Sequence, residues 1–81
     1  MEKKPKVIVY STPICPYCTL AKNFLKDNKI EFEDKNVAED MNAREEMLKK
    51  SGQMGVPVID INGKVIIGYN REEIKKALGI K

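Results

Sequence analysis

The chain contains no histidine and no tryptophan, and its only cysteines are Cys15 and Cys18. Without histidine, a single copy cannot complete a Cys/His zinc site, which takes four ligands. Two cysteines are too few for a small secreted scaffold held together by several bridges. In a reducing compartment, a disulfide between them would be transient and catalytic. The longest uncharged apolar run, Val7 to Tyr10, falls far short of the roughly 20 residues of a bilayer-spanning helix. The charged start, Met1 to Lys4, is followed by no signal-peptide core of sufficient length. These absences predict a cytoplasmic protein with no membrane partner. Basic residues are not segregated either. Fifteen are interleaved with twelve acidic ones, as in "AREEMLKK" and "NREEIKKA", the pattern of solvated helix faces. A nucleic-acid surface would need a basic patch with exposed aromatics, so no nucleic-acid partner is expected. There is no linker, repeat or low-complexity run. Eighty-one residues suit one modest core, so a single domain over residues 1–81 and a monomer are expected.

"KVIVY", Lys6 to Tyr10, is apolar and β-branched, as a central strand buried on both faces should be. Pro16 suits the first position of a helix, where its missing N–H costs nothing. Tyr17, Leu20, Ala21, Phe24 and Leu25 then recur at helical spacing, and Asn28 is the predicted stop. "IEFEDKNV" reads as a more exposed strand. A second helix is capped by Asp40 or Asn42 and ended by Gly52. Asn62-Gly63 between two β-branched runs specifies a type I′ hairpin. The last helix has Asn70 as cap, Glu73 to complete a capping box, an apolar stripe of Ile74, Ala77 and Leu78, and Gly79 as stop. The order is β-α-β-α-β-β-α. The first crossover makes its two strands parallel, and the hairpin adds two antiparallel ones. The expected fold class is therefore α/β, with a four-stranded mixed sheet and helices on both faces.

The cysteine pair admits three readings. Zinc or an iron–sulfur cluster would have to be shared between two chains through Cys15. A structural staple closing so tight a loop removes little entropy from the unfolded chain. A redox centre fits the placement better. Residues i and i+3 at a helix start lie about 5–6 Å apart, within the roughly 4.4–6.8 Å Cα separation that a disulfide accepts. Cys15 falls at the cap, where free N–H groups point at its sulfur and favour negative charge. The helix end supplies only about 0.3–1 kcal/mol, so direct hydrogen bonds must do most of the stabilising. On this reading Cys15 attacks and Cys18, one turn inside and partly shielded, resolves the mixed disulfide. Tyr17 is either a surface aromatic or a wall against which a substrate packs.

"CPYC" after an apolar strand, "GVPV" before a hairpin, and "GYNREE" opening the last helix together resemble the glutaredoxins, including small glutaredoxin-like proteins of the YruB type. The likeness runs from Lys6 to Leu78. It implies a thioredoxin-like fold and a thiol–disulfide oxidoreductase. Its substrates would be protein disulfides and glutathione mixed disulfides. No cofactor would be bound, and glutathione would be the electron donor. It implies a cis Val56-Pro57 bond beside the cysteines, where the residues alone favour a trans proline at a strand start. The Val56 backbone would then pair with an incoming peptide or glutathione. Pro16 and Tyr17 match the motif. Arg44 matches a residue that binds a glutathione carboxylate in the family, although on its own it reads equally as a helix-surface arginine. Gly68, Asn70 and Arg71 occupy the loop whose N–H groups take the γ-glutamyl end. The chain also departs from the family: Thr12 stands where a basic residue is frequent, Gly55 replaces a threonine, and Gly68-Tyr69 replaces a double glycine. The last feature is similar to the NrdH-type redoxins, which are reduced by thioredoxin reductase.

Overall fold

A computed structural model describes residues 5–79. The charged start Met1 to Lys4 and the last two residues of the expected single domain lie outside the described residues. The elements are β1 (Val7–Ser11), α1 (Pro16–Asp27), β2 (Glu33–Asn36), α2 (Met41–Ser51), β3 (Val58–Ile61), β4 (Lys64–Ile67) and α3 (Arg71–Leu78). The sheet order is β2-β1-β3-β4. β1 runs parallel to β2 and antiparallel to β3, and β3 runs antiparallel to β4. This is a thioredoxin-like arrangement, with β1 and β3 central.

Alternation along β1 and β3 divides the core in two. Val7 and Val9 join Ile59, Ile61 and Ile66 under Ala21 and Leu25 of α1 and Ile74 of α3. Ile8, Tyr10 and Val58 face Ala43 and Met47 of α2. Helices therefore cover both faces. Both central strands are buried along their whole length, which explains their apolar runs.

The local signals act as chemistry requires. Asn62 and Gly63 take φ of 53° and 93°, the two positive values a type I′ turn needs. Asp40 caps α2 through the N–H groups of Asn42 and Ala43, in preference to Asn42. Asn70 caps α3 through the Glu73 N–H.

Several expectations shift. β1 runs from Val7 to Ser11, one residue later than read. Ser11 pairs with Asn36, whereas Lys6 is bound to the hairpin turn, its N–H donating to Asn62 Oδ1 and its carbonyl accepting from the Asn62 N–H. β2 is shorter than its alternation suggested; Ile30 and Phe32 precede it and pack on the α1/α3 side. On α1 the buried line is Cys18, Ala21 and Leu25. Tyr17 and Leu20 are 63% and 48% exposed. Treating Cys18 as chemistry rather than as an apolar residue rotated the expected stripe by one position. The Glu73 carboxylate lies 3.6 Å from Lys64 Nζ, so it serves the β4–α3 junction.

Candidate active site

The C-terminal end of β1 delivers the chain into the turn Thr12 to Ile14, and Pro16 starts α1 with Cys15 as its cap. Cys15 has extended backbone angles, and its sulfur accepts the Cys18 N–H at 3.2 Å. A helix cap needs a side chain that satisfies a first-turn N–H. Here the capping atom is the sulfur itself, so one contact both starts the helix and aims a donor at the Cys15 sulfur. Both cysteines are free thiols.

Cys15 is half-buried, whereas Cys18 is 0% exposed rather than partly shielded. Burial pushes the Cys18 thiol up to about 12. Its hydrogen bond to Cys15 and the negative charge there add to the rise. The Thr12 backbone N–H and the Lys22 ammonium oppose it. The pair is thus asymmetric: the outer sulfur has a donor and access to solvent, while the inner one holds its proton against Cys15.

Around this pair the structure gathers some of the expected residues. Val58 of β3 pairs with Tyr10 of β1, which brings the Val56-Pro57 segment to the end of β1 that leads to Cys15. The Val56–Pro57 peptide is cis. Gly68 follows β4 with φ of 80°, and its N–H donates to the Pro57 carbonyl at 2.8 Å. Thr12, Val37, Arg44, Met47, Met54 and Val56 line a groove of about 320 Å³. Arg44 and Val56 therefore share one surface, and Met54 joins them there. Tyr17 and Ile14, the latter 91% exposed, project beside Cys15 in the chain. A wider depression of about 640 Å³ lies at the acidic β2–α2 edge, and neither it nor the groove has a cysteine among its lining residues.

Asn70 and Arg71 are engaged elsewhere. The Asn70 side chain caps α3, and its N–H donates to the Gly68 carbonyl at 3.2 Å. The Arg71 guanidinium lies over the Phe24 ring, 5.6 Å from its centroid, and Tyr69 meets the same ring edge-on. This loop is packed onto α1.

Sequence reasoning missed a polar cluster beside the inner sulfur. Lys22 Nζ donates to Asp34 Oδ2 at 3.0 Å and to Ser11 Oγ at 3.4 Å. The Ser11 hydroxyl donates to Asp34 Oδ1 at 2.7 Å. Its only trace in the sequence is the four-residue step from Cys18 to Lys22. Among the described residues, no group of three or more His, Cys, Asp or Glu side chains could hold a metal ion, and no helix is long and apolar enough to cross a membrane.

Comparison with known proteins agrees with this geometry. The Glutaredoxin family model matches residues 7–66. An uncharacterized glutaredoxin-like 8.6 kDa protein in the rubredoxin operon of Clostridium pasteurianum is 53% identical over 70 residues, covering 86% of this chain and 93% of that one. Glutaredoxin 3 of Escherichia coli (strain K12) is 37% identical over 62 residues, 76% of this chain and 75% of that one. The crystal structure of a glutaredoxin from Archaeoglobus fulgidus overlays with a TM-score of 0.80 at 30% identity, covering 89% of this chain and 84% of that one.

Proposed function

The chain belongs to the glutaredoxin family, and from that premise we propose that it is a dithiol–disulfide oxidoreductase with Cys15 as nucleophile and Cys18 as resolving thiol. The observation that carries this reading is the asymmetry of the pair. One sulfur is accessible and accepts a backbone N–H, and its neighbour is buried and retains its proton. The Cys15 thiolate attacks a substrate disulfide, forming a mixed disulfide and expelling one substrate thiol. Cys18 then attacks Cys15, releasing the second substrate thiol and leaving the Cys15–Cys18 disulfide. The two sulfurs carry the electron pair, so no bound cofactor is required. The substrates are protein disulfides and glutathione mixed disulfides, in the reducing cytoplasm, and the protein works as a monomer.

Glutathione is the reductant on this reading. The Arg44 guanidinium beside the Val56 groove would take a carboxylate of glutathione, and the Val56 backbone would pair with its peptide. A second reading has its own support: a flavoprotein thioredoxin reductase serves as donor, as for NrdH-type redoxins. The Gly68 N–H is committed to Pro57, the Asn70 side chain to α3 and Arg71 to Phe24. The γ-glutamyl end of glutathione would have to compete with those contacts.

Two coupled NADPH assays separate the readings, one with glutathione and its reductase, the other with thioredoxin reductase. Turnover with glutathione that Arg44→Ala weakens through KM supports the first. Turnover with thioredoxin reductase alone moves the assignment to the second. If Cys15→Ser retains disulfide reduction with either donor, the dithiol mechanism itself is wrong.

A further inference from the structure

The inner sulfur has a charge partner outside the Cys-Pro-Tyr-Cys turn. Lys22 follows Cys18 by four residues on α1, so both lie on one helix face. Its ammonium is not a free surface charge. It is held by the Asp34 carboxylate of β2 and the Ser11 hydroxyl of β1, and Ser11 in turn donates to Asp34. Ser11 is buried, and the backbone of the next residue, Thr12, favours the ionised form of Cys18. Three elements therefore fix a cation beside the strand end that already serves that sulfur. As a stabilising ion pair, a partly exposed Lys–Asp contact is worth about 0–1 kcal/mol. Its placement fits a different purpose.

We propose that Lys22 is a positioning residue for the second half of the exchange: clamped by Asp34 and Ser11, its ammonium stabilises the negative charge that Cys18 acquires as it attacks the mixed disulfide. This rests on the dithiol reading above. In that step the Cys18 thiol gives its proton to solvent. Its sulfur electron pair forms the Cys18–Cys15 bond, the bond between Cys15 and the substrate sulfur breaks, and the departing substrate thiolate takes up a proton. The substrate sulfur is reduced and the cysteine pair oxidised.

The need is specific to this step. A buried thiol must ionise before it can attack, and burial is the main cause of its resistance. Once Cys15 is tied up in the mixed disulfide, its charge no longer adds to that resistance, while the Lys22 ammonium still lowers it. Asp34 enters with the opposite sign, through Lys22. β1 contributes Ser11, and the turn after it the Thr12 backbone, neither of which carries a charge. Arg71 of α3 is stacked on Phe24.

The size of the effect is modest. An opposite charge nearby moves a thiol by about one pK unit at the low end of the usual range. The thiolate fraction would then fall about tenfold without it, and the more basic sulfur would recover about threefold in nucleophilicity. The net slowing is about threefold.

The test mixes the reduced full-length protein with dithiobis(nitrobenzoate) in a stopped-flow instrument. The first nitrothiobenzoate released reports attack by Cys15, and the second reports resolution by Cys18. Lys22→Met should slow the second release about threefold below its pH midpoint and displace its pH profile upward by about one unit. The first release should stay within about twofold. Lys22→Arg should restore the second phase. Asp34→Asn, which removes the counter-charge, should displace the profile the other way. Slowing of both phases together in Lys22→Met, an unchanged second phase, or displacement by both variants in the same direction would overturn the assignment. A wild-type protein that releases only one equivalent would instead overturn the dithiol reading on which the assignment rests.

Discussion

The buried Cys18 thiol makes the stability of the reduced protein pH-dependent in a way that Cys18→Ala should abolish. In the folded chain this thiol is pushed up to about 12, and in the unfolded chain it titrates near its ordinary value of about 8.5. A group whose folded value is raised contributes stability in full below the unfolded value and loses it as pH rises towards the folded one. The window is therefore alkaline. At pH 7 the thiol is protonated in both states and contributes no pH dependence. At about pH 9.5 the unfolded state gains roughly 1.4 kcal/mol from ionising Cys18, while the folded state gains almost nothing. The assay is urea unfolding of the wild type and Cys18→Ala, both fully reduced and anaerobic, across this range. The variant has a constant offset from its small void, and Cys15 and the lysines are common to both proteins. The decisive quantity is the difference between the two proteins. It should shift against the wild type by about 1.4 kcal/mol between about pH 7 and 9.5. A difference that stays flat would mean that Cys18 ionises as readily folded as unfolded. The asymmetry on which the roles of the two cysteines rest would then be refuted.

Two other substitutions probe the surroundings. Lys50 donates to Asp60 at 2.6 Å and to the Tyr10 hydroxyl at 2.8 Å, and Tyr10 donates on to Glu46. Burial alone would lower the Lys50 ammonium, but these contacts outweigh it and hold its pKa above the usual value. Lys50→Met strands the nearly buried Asp60 with the Gly63 N–H and should cost about 2 kcal/mol, less than a fully buried pair because Lys50 is part-exposed. Chemical denaturation of this variant and of Lys50→Met/Asp60→Asn checks it, with partial recovery expected in the double variant. Tyr17→Ala removes an exposed side chain and should leave stability within about 0.5 kcal/mol, while the KM for a protein disulfide rises. An unchanged KM would return Tyr17 to the status of a plain surface aromatic.

Where one residue type at one place answers one physical demand, the sequence was sufficient. Pro16 after Cys15 marked the helix start, because proline is tolerated only where its N–H is not needed. Asn62-Gly63 marked the hairpin, because few residues accept two successive positive φ values. The continuous apolar run of β1 pointed to burial on both faces. What stayed hidden depends on partners distant in the chain. Lys22 and Asp34 are ordinary charged residues until β2 is laid beside β1. Lys50 and Asp60 read as a helix-surface lysine and an acid interrupting an apolar strand, although Tyr10 joins them through the core. The full burial of Cys18 follows from the thiol packing as a small apolar group, which its spacing from Cys15 does not reveal.

The loop after β4 shows why position and availability must be separated. Gly68, Asn70 and Arg71 occupy the stretch that the family resemblance marks for glutathione, and a sequence comparison conveys no more than that. A backbone donor can bind a ligand only if it is free or if the ligand outbids its present partner. The Gly68 N–H already meets the Pro57 carbonyl, and exchanging one hydrogen bond for another yields little net free energy. Arg71 would have to leave the Phe24 face, and Asn70 would have to uncap α3, a loss of about 1 kcal/mol. Among the described residues, the Arg44 side chain has no such obligation to an aromatic ring or a helix end, and it lies on an open groove. On the glutathione reading, the binding energy would therefore be weighted towards the Arg44 side. The choice between glutathione and a protein reductase turns on whether one carboxylate contact and the Val56 backbone suffice without the γ-glutamyl end.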